Sequence, residues 1–271
     1  MSPQDIELWG KTLVYVNPRG PSDAKIMWIG EMPGQREVET GITHSGPSSR
    51  EDDGVLEEAG LNPHTIFFTN VFRSYPPSGK VEDWITFQSK KAKALGFIPR
   101  ANAFIHPDVV SHLDHLEKEI AAVRPNIMIL TGNVALWAVL GEWGINNWRG
   151  SLLPDPRFGI KCVPTFNPAF LFKEWEQRPI IVWDYKKVAR EWESPELPKR
   201  QTAFCLRPSS DMALSYIASI LAACEAGPTW FAADIETKSN QIDCIGIARS
   251  STEAICIPFF SPEYSLGHYS E

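Results

Sequence analysis

Lys25-Ile-Met-Trp-Ile-Gly30-Glu31-Met32-Pro33-Gly34 joins a short apolar run to a loop rich in turn formers. A short unbroken apolar run bounded by turn residues reads as a strand buried on both faces, the mark of a parallel sheet. In open α/β sheets, ligands bind outside the carboxyl ends of such strands. The loop continues to Gly46, and Gly30, Gly34, Gly41 and Gly46 allow close backbone approach to a bound group while Pro33 stiffens the turn. Neither G-x-G-x-x-G nor G-x-x-x-x-G-K-[ST] is present, so the glycines do not spell a dinucleotide or P-loop site.

The pattern repeats along the chain. Ser48 to Gly60 reads as a helix with an acidic first turn. Thr65 to Val71 reads as a second strand opening after Asn70 into a Pro turn (Tyr75-Pro-Pro-Ser-Gly79). Residues 1–24 read as an arm and 80–105 as a long connection with an amphipathic piece near Trp84 to Leu95. Pro107 to Val123 has helical periodicity. Asn126 to Gly132 is a third strand, followed by a helix over Asn133 to Leu140. Lys161 to Phe166 is a fourth strand with Asn167-Pro-Ala at its end, and Arg178 to Trp192 a closing helix. Alternating strands and helices predict a parallel sheet covered on both faces, with three polar loops at one edge.

After the charged, Pro-bearing stretch Ser194 to Arg200 the pattern changes. A short strand (Thr202 to Leu206) and a capped helix (Ser209 to Ala226) precede strands at Trp230–Asp234, Ile242–Ala248 and Glu253–Pro258, read as a meander. The expected organisation is a domain over 1–193, a linker over 194–201 and a second domain over 202–271.

Composition narrows the class. The 271 residues are 43% apolar, with ten Trp and fourteen Phe, enough for a solid core. A net charge of −7 argues against non-specific coating of nucleic acid, although it does not locate the charges. Five cysteines (162, 205, 224, 244 and 256) form no C-x-x-C pair, and neither a signal peptide nor a membrane-length apolar run is present. The expectation is an intracellular, cytoplasmic protein in a reducing compartment, with no membrane partner. His106, His112 and His115 with Asp108 and Asp114 invite a zinc reading, but spacing fixes no third ligand, and a solvated helix face is the expectation.

Four ordered blocks resemble the uracil-DNA glycosylase superfamily, nearest its family 4, over residues 25–192. Gly30-Glu-Met-Pro-Gly34 is similar to G-E-A-P-G, and Thr40-Gly-Ile-Thr-His-Ser-Gly46 stands where the family has T-G-x-P-F-x-G. Thr69-Asn-Val-Phe-Arg-Ser-Tyr-Pro-Pro77 is similar to T-N-x-x-x-C-x-P-P. Arg149-Gly150 and Pro164-Thr-Phe-Asn-Pro-Ala-Phe-Leu-Phe-Lys173 resemble R-G and P-T-x-H-P-A-x-L-L-R. The resemblance implies a four-stranded parallel sheet flanked by helices, and hydrolysis of the N-glycosidic bond of a flipped deoxyuridine in DNA. It implies Asn70 on the uracil edge, His44 stacked on the base, and the backbone from Met32 through Gly34 to Gln35 on a base oxygen. Asn167 would donate to the departing base, Glu31 orient the attacking water, and Arg149 and Lys173 touch DNA phosphates. Three departures stand out: His44 replaces a Phe, Asn167 a His, and Ser74 a cysteine of the family's iron–sulfur cluster. With no cysteine before residue 162, no cofactor is expected for this domain.

The second half resembles the start of the 3′–5′ exonuclease domain of family A DNA polymerases, a partial RNase H-like α/β unit. Phe231-Ala-Ala-Asp-Ile-Glu-Thr237 is followed by Cys244-Ile-Gly-Ile-Ala248 and Ala254-Ile-Cys-Ile-Pro-Phe259. Asp234 and Glu236 fall on one face of a strand, where two carboxylates suit a shared divalent metal (Mg or Mn). The chain reaches Glu271 before further Asp-bearing motifs, so a complete metal pair would require a longer chain. The expectation is a module of a replicative, viral DNA polymerase, with DNA and the remaining polymerase as partners. Three readings of the first domain stay open: a glycosylase, a pocket that senses uracil or docks template without cleaving, and a mononucleotide-binding domain.

Overall fold

The computed structural model describes residues 6–8, 11–198 and 202–259. The start of the expected arm, the end of the expected linker and residues 260–271 lie outside them. The chain divides between Leu197 and Pro198 into two units, each described by itself.

In the first unit, β1 (Ile6–Leu8) and β2 (Lys11–Leu13) form a hairpin, and β3 (Ile26–Gly30) enters the main sheet. α1 (Gln35–Thr40) and α2 (Pro47–Glu58) lead to β4 (Ile66–Asn70). A small antiparallel sheet of β5 (Ile85–Thr86), β6 (Ile98–Arg100) and β7 (Ala103–Ile105) carries α3 (Ser89–Leu95) between its first two strands. Then follow α4 (Val110–Val123), β8 (Ile127–Thr131), α5 (Gly132–Leu140), the short α6 (Ile145–Trp148), β9 (Leu153–Pro154), β10 (Lys161–Thr165) and α7 (Arg178–Glu191).

The main sheet runs β4-β3-β8-β10-β9. Its first four strands are parallel, as the alternation predicts; β9 adds an antiparallel fifth at the edge, too short for a periodic signal. Successive residues of each strand serve opposite faces. Met27, Ile29, Met128 and Leu130 join α4 and α5 in one core, while Trp28, Phe68, Ile129 and Val163 join α2 and α7 in the other. Both faces are therefore dry, and each buried Ile, Leu or Val contributes about 1.5–3 kcal/mol relative to exposure. The register pairs Gly30 with Asn70 and Thr131 with Thr165, so four strands end at one edge.

Several expectations need correction. The arm is partly built into the unit: Asn17 bridges Ile42, Arg19 bridges Phe68, and Val16 is buried. The connection over 80–105 holds the small sheet, whose strands of two or three residues are too brief for alternation to show. α2 begins at Pro47, so its acidic residues fall after the first turn. His112 is fully buried against the core rather than solvated.

The second unit has β11 (Ala203–Cys205), α8 (Ser210–Ala226), β12 (Ala232–Lys238), β13 (Gln241–Ser250) and β14 (Glu253–Pro258). The last three strands form the expected antiparallel meander, and β11 pairs parallel to β14. Ala213, Ile255 and Ile257 make a small core. Among the described residues, no helix is long and apolar enough to cross a membrane.

Candidate active site

A cavity of about 680 Å³ opens at the carboxyl edge of the parallel strands, lined by Glu31, Met32, Gly34, Gln35, His44, Asn70 and Asn167 among others. Seven residues up to 136 positions apart in the sequence thus meet in one place. Hydrogen bonds from Val71 N–H to Gly30 O (2.9 Å) and from Phe72 N–H to Glu31 O (3.0 Å) lay the loops after β3 and β4 side by side.

Asn70 ends β4 with 5% of its surface exposed, and its side-chain amide has no protein partner among the described residues. It fits because its strand neighbour is glycine. A Cβ on Gly30 would lie 2.2 Å from Asn70 Oδ1 and 2.6 Å from the Trp28 ring. Glu31, the next residue, is half-buried, and its carboxyl is raised to about 7, first by desolvation and then by the Glu82 carboxylate.

Asn167 caps a short 3₁₀ turn (Pro168–Phe172), its Oδ1 accepting from Ala169 N–H at 3.0 Å. The cap consumes the amide's acceptor and leaves its NH₂ as donor. Gly132, in the left-handed region at φ +86°, faces this side chain, where a Cβ would come within 3.4 Å of Asn167 Cβ.

Gly34 caps α1 and donates its N–H to Glu37 Oε2 at 2.6 Å. The other oxygen of Glu37 accepts from His44 N–H, so one carboxylate closes the loop across ten residues. Met32 borders the cavity, and Gln35 is exposed at the start of α1. His44 takes φ +57°, a conformation that His tolerates better than most residues. Its ring is 4% exposed, stacks on Phe68 at 4.0 Å between centroids, and meets Asp53 Oδ1 from Nε2 at 2.9 Å. The ring forms the cavity's underside, with one face already committed to Phe68.

Reading the sequence missed Asp52, which is 1% exposed and lines the same cavity. Its Oδ1 accepts from Tyr185 OH at 2.7 Å and Tyr185 OH accepts from Trp28 Nε1 at 3.2 Å, while its Oδ2 lies 3.9 Å from His44 Nε2 and has no hydrogen-bond partner among the described residues. Burial is the main cause of its carboxyl being raised to about 7. A signal existed: the buried positions of α2, Ser49, Asp52, Val55 and Leu56, follow helical spacing and place a carboxyl on the core stripe.

Other predicted contacts fall elsewhere. Arg149 is not among the residues lining the cavity, and its guanidinium is bound by Asp184 at 2.6 and 3.1 Å. Asp184 also accepts from Thr165 Oγ1 at 2.8 Å. Arg149 thus ties the turn before β9 to α7. Replacing Asp184 by Ala should cost about 3 kcal/mol, measured by denaturant unfolding, because it strands a half-buried guanidinium. Lys173 is exposed just past the 3₁₀ turn. In the second unit, Asp234 and Glu236 lie opposite Gly246 and Cys244 on a strand that is exposed throughout. Among the described residues no group of three or more metal-ligating side chains occurs.

The profile of the Uracil DNA glycosylase superfamily matches residues 18–192. The type-4 uracil-DNA glycosylase of Thermotoga maritima is 25% identical over 170 residues, covering 62% of this chain and 78% of that protein. Its counterpart in Archaeoglobus fulgidus is 22% identical over 64% of this chain and 80% of that protein. The enzyme of Saccharolobus solfataricus is 23% identical over 68% and 79%. With the profile spanning the whole main sheet and every loop of the cavity, the chain belongs to the uracil DNA glycosylase superfamily.

Proposed function

We propose that the first unit releases uracil from DNA by hydrolysing the bond between C1′ of the sugar and N1 of a flipped base. One observation carries this reading: the buried, unpartnered amide of Asn70 shares a cavity with the raised carboxyl of Glu31 and the free donor of Asn167. An amide can donate to O4 of uracil and accept from N3–H, reading the edge that distinguishes it from cytosine. As the C1′–N1 bond breaks, its electron pair leaves with the base, and the Asn167 NH₂ donates to the negative charge that develops. Glu31, in its ionised form, takes a proton from the water whose oxygen bonds to C1′. His44 supports the floor of this pocket. Phe172, 65% exposed beyond Asn167, is placed to fill the gap left by a flipped base. Lys173 beside it serves as a phosphate contact.

We read the second unit as the opening strands of a polymerase 3′–5′ exonuclease, on its meander and the i, i+2 carboxylates Asp234 and Glu236. Two carboxylates are too few for the metal pair of such a nuclease, and no step is assigned to them.

The test is base release from single- and double-stranded DNA carrying one deoxyuridine, with thymidine and deoxycytidine controls. Release from deoxyuridine alone is the expected result. Equal inertness toward all three would overturn the glycosylase reading.

A further inference from the structure

Ser74 stands where the family 4 pattern has a cluster-binding cysteine, and its surroundings do not fit an iron–sulfur cluster. Such a cluster is held by thiolates. The first unit has one cysteine, Cys162, buried within β10, with its thiol pushed far above the ordinary range by burial. Ser74 itself is 1% exposed with an unpartnered Oγ.

What occupies this region is a network built on the neighbouring residue. The Arg73 guanidinium reaches Glu119 Oε1 at 2.9 Å, donates from Nε to Val16 O at 3.2 Å, and lies 4.4 Å above the Tyr15 ring. Its backbone closes the same knot: Arg73 O accepts from Val16 N–H at 2.8 Å, and Arg73 N–H donates to His112 Nδ1 at 3.3 Å. Burial, Arg73 and His115 hold His112 down to about 4, in the neutral form that this acceptor role requires. Glu119 then uses its second oxygen to accept from Thr69 Oγ1 at 2.7 Å. Thr69 immediately precedes Asn70. One guanidinium–carboxylate pair therefore joins the segment at residues 15–16, helix α4 and the end of β4 that carries Asn70.

We propose that Arg73 and Glu119 are positioning residues that hold Asn70 through Thr69, and that base release by this chain is independent of iron. The inference rests on the glycosylase reading. A buried ion pair whose two partners are each held by a further hydrogen bond suits the task, because a displacement of about 1 Å at a contacting group can cost roughly 10²-fold in rate.

The experiment is a double-mutant cycle on uracil release by the full chain, alongside iron and acid-labile sulfide analysis of the same preparation. Glu119→Gln and Thr69→Val are each combined with Asn70→Ala. The expected result is substoichiometric iron, release insensitive to chelator and ferricyanide, and roughly a 10-fold loss of kcat in each single variant. That loss should vanish in the Asn70→Ala background, since a residue acting through Asn70 has nothing left to position. A merely structural residue would lower the rate by the same factor in both backgrounds, which would overturn the proposal. Stoichiometric iron whose removal abolishes release would also overturn it while leaving the glycosylase reading intact. An inactive wild-type chain would remove both. Thr69→Val, nearly isosteric, keeps the test decisive should Glu119→Gln fail to fold.

Discussion

Glu31→Gln is expected to lower uracil release by roughly 10²–10⁴-fold, the range that one positioned general base supplies. The substitution keeps the shape of the side chain and removes only its capacity to take a proton. The pH profile supplies the signature. Glu31 titrates at about 7, raised by desolvation first and by Glu82 second, so the wild-type rate should climb through about pH 7 and level off above it. In Glu31→Gln that limb should be gone. Glu82→Gln leaves the burial but removes the neighbouring charge, and should move the limb to lower pH. The same shift has a sign in stability. An acid that binds its proton more tightly in the folded than in the unfolded chain stabilises the fold below its usual value of 4.5, and that contribution is lost as pH rises to about 7. Glu31→Gln should therefore melt higher than the wild type at pH 8 and almost identically at pH 4. Asp52, also raised to about 7, is present in both chains and cancels in the comparison. A variant that keeps the full rate, or the limb at pH 7, would show that Glu31 is not the base.

Much of this site was open to reading because each element announces itself by a different signal. β3, β4, β8 and β10 are buried on both faces, so they appear as short runs dominated by apolar residues, and the polar residues that end them mark the ligand edge. Asn70 and Glu31 were found for that reason. Asp52 and Glu37 were not, since an acidic residue on an amphipathic helix ordinarily faces water, and that expectation outweighs the helical spacing that sets Asp52 with Val55 and Leu56. Arg149 was read as a phosphate contact from its R-G block, and its pairing with Asp184, 35 residues away, is of a range that no local pattern reports. His44 was recognised by position, but the stacking partner that claims one face, Phe68, comes from another strand. Asp234 and Glu236 share a face as their spacing requires, whereas the exposure of that face depends on what packs against it.

Asn70→Ala should reduce kcat/KM for uracil release by roughly 10²–10³-fold, the scale for a single preorganised donor, with little change in melting temperature. Among the described residues the side chain makes no hydrogen bond that the fold would lose, so its cost should fall on the substrate alone. A second substitution isolates geometry from chemistry. Gly30→Ala keeps the amide but places a methyl where Asn70 Oδ1 and the Trp28 ring already stand, at 2.2 and 2.6 Å. Those contacts are far inside van der Waals distance, and Gly30 sits in a sheet whose neighbours on both sides are fixed, so the amide must move. Gly30→Ala should accordingly lose most of what Asn70→Ala loses, and the two together should be far from additive. It should also destabilise the unit by about 1–3 kcal/mol, as overpacking does, which Asn70→Ala should not. The pair can be read against free uracil as well: inhibition by uracil should weaken in both variants if the amide reads the base edge. Unchanged inhibition in Asn70→Ala would mean that the base is held by other groups, and the assignment of Asn70 would fall. A strand-end asparagine opposite a glycine then has one physical account left, in which Gly30 simply makes room for the Trp28 ring.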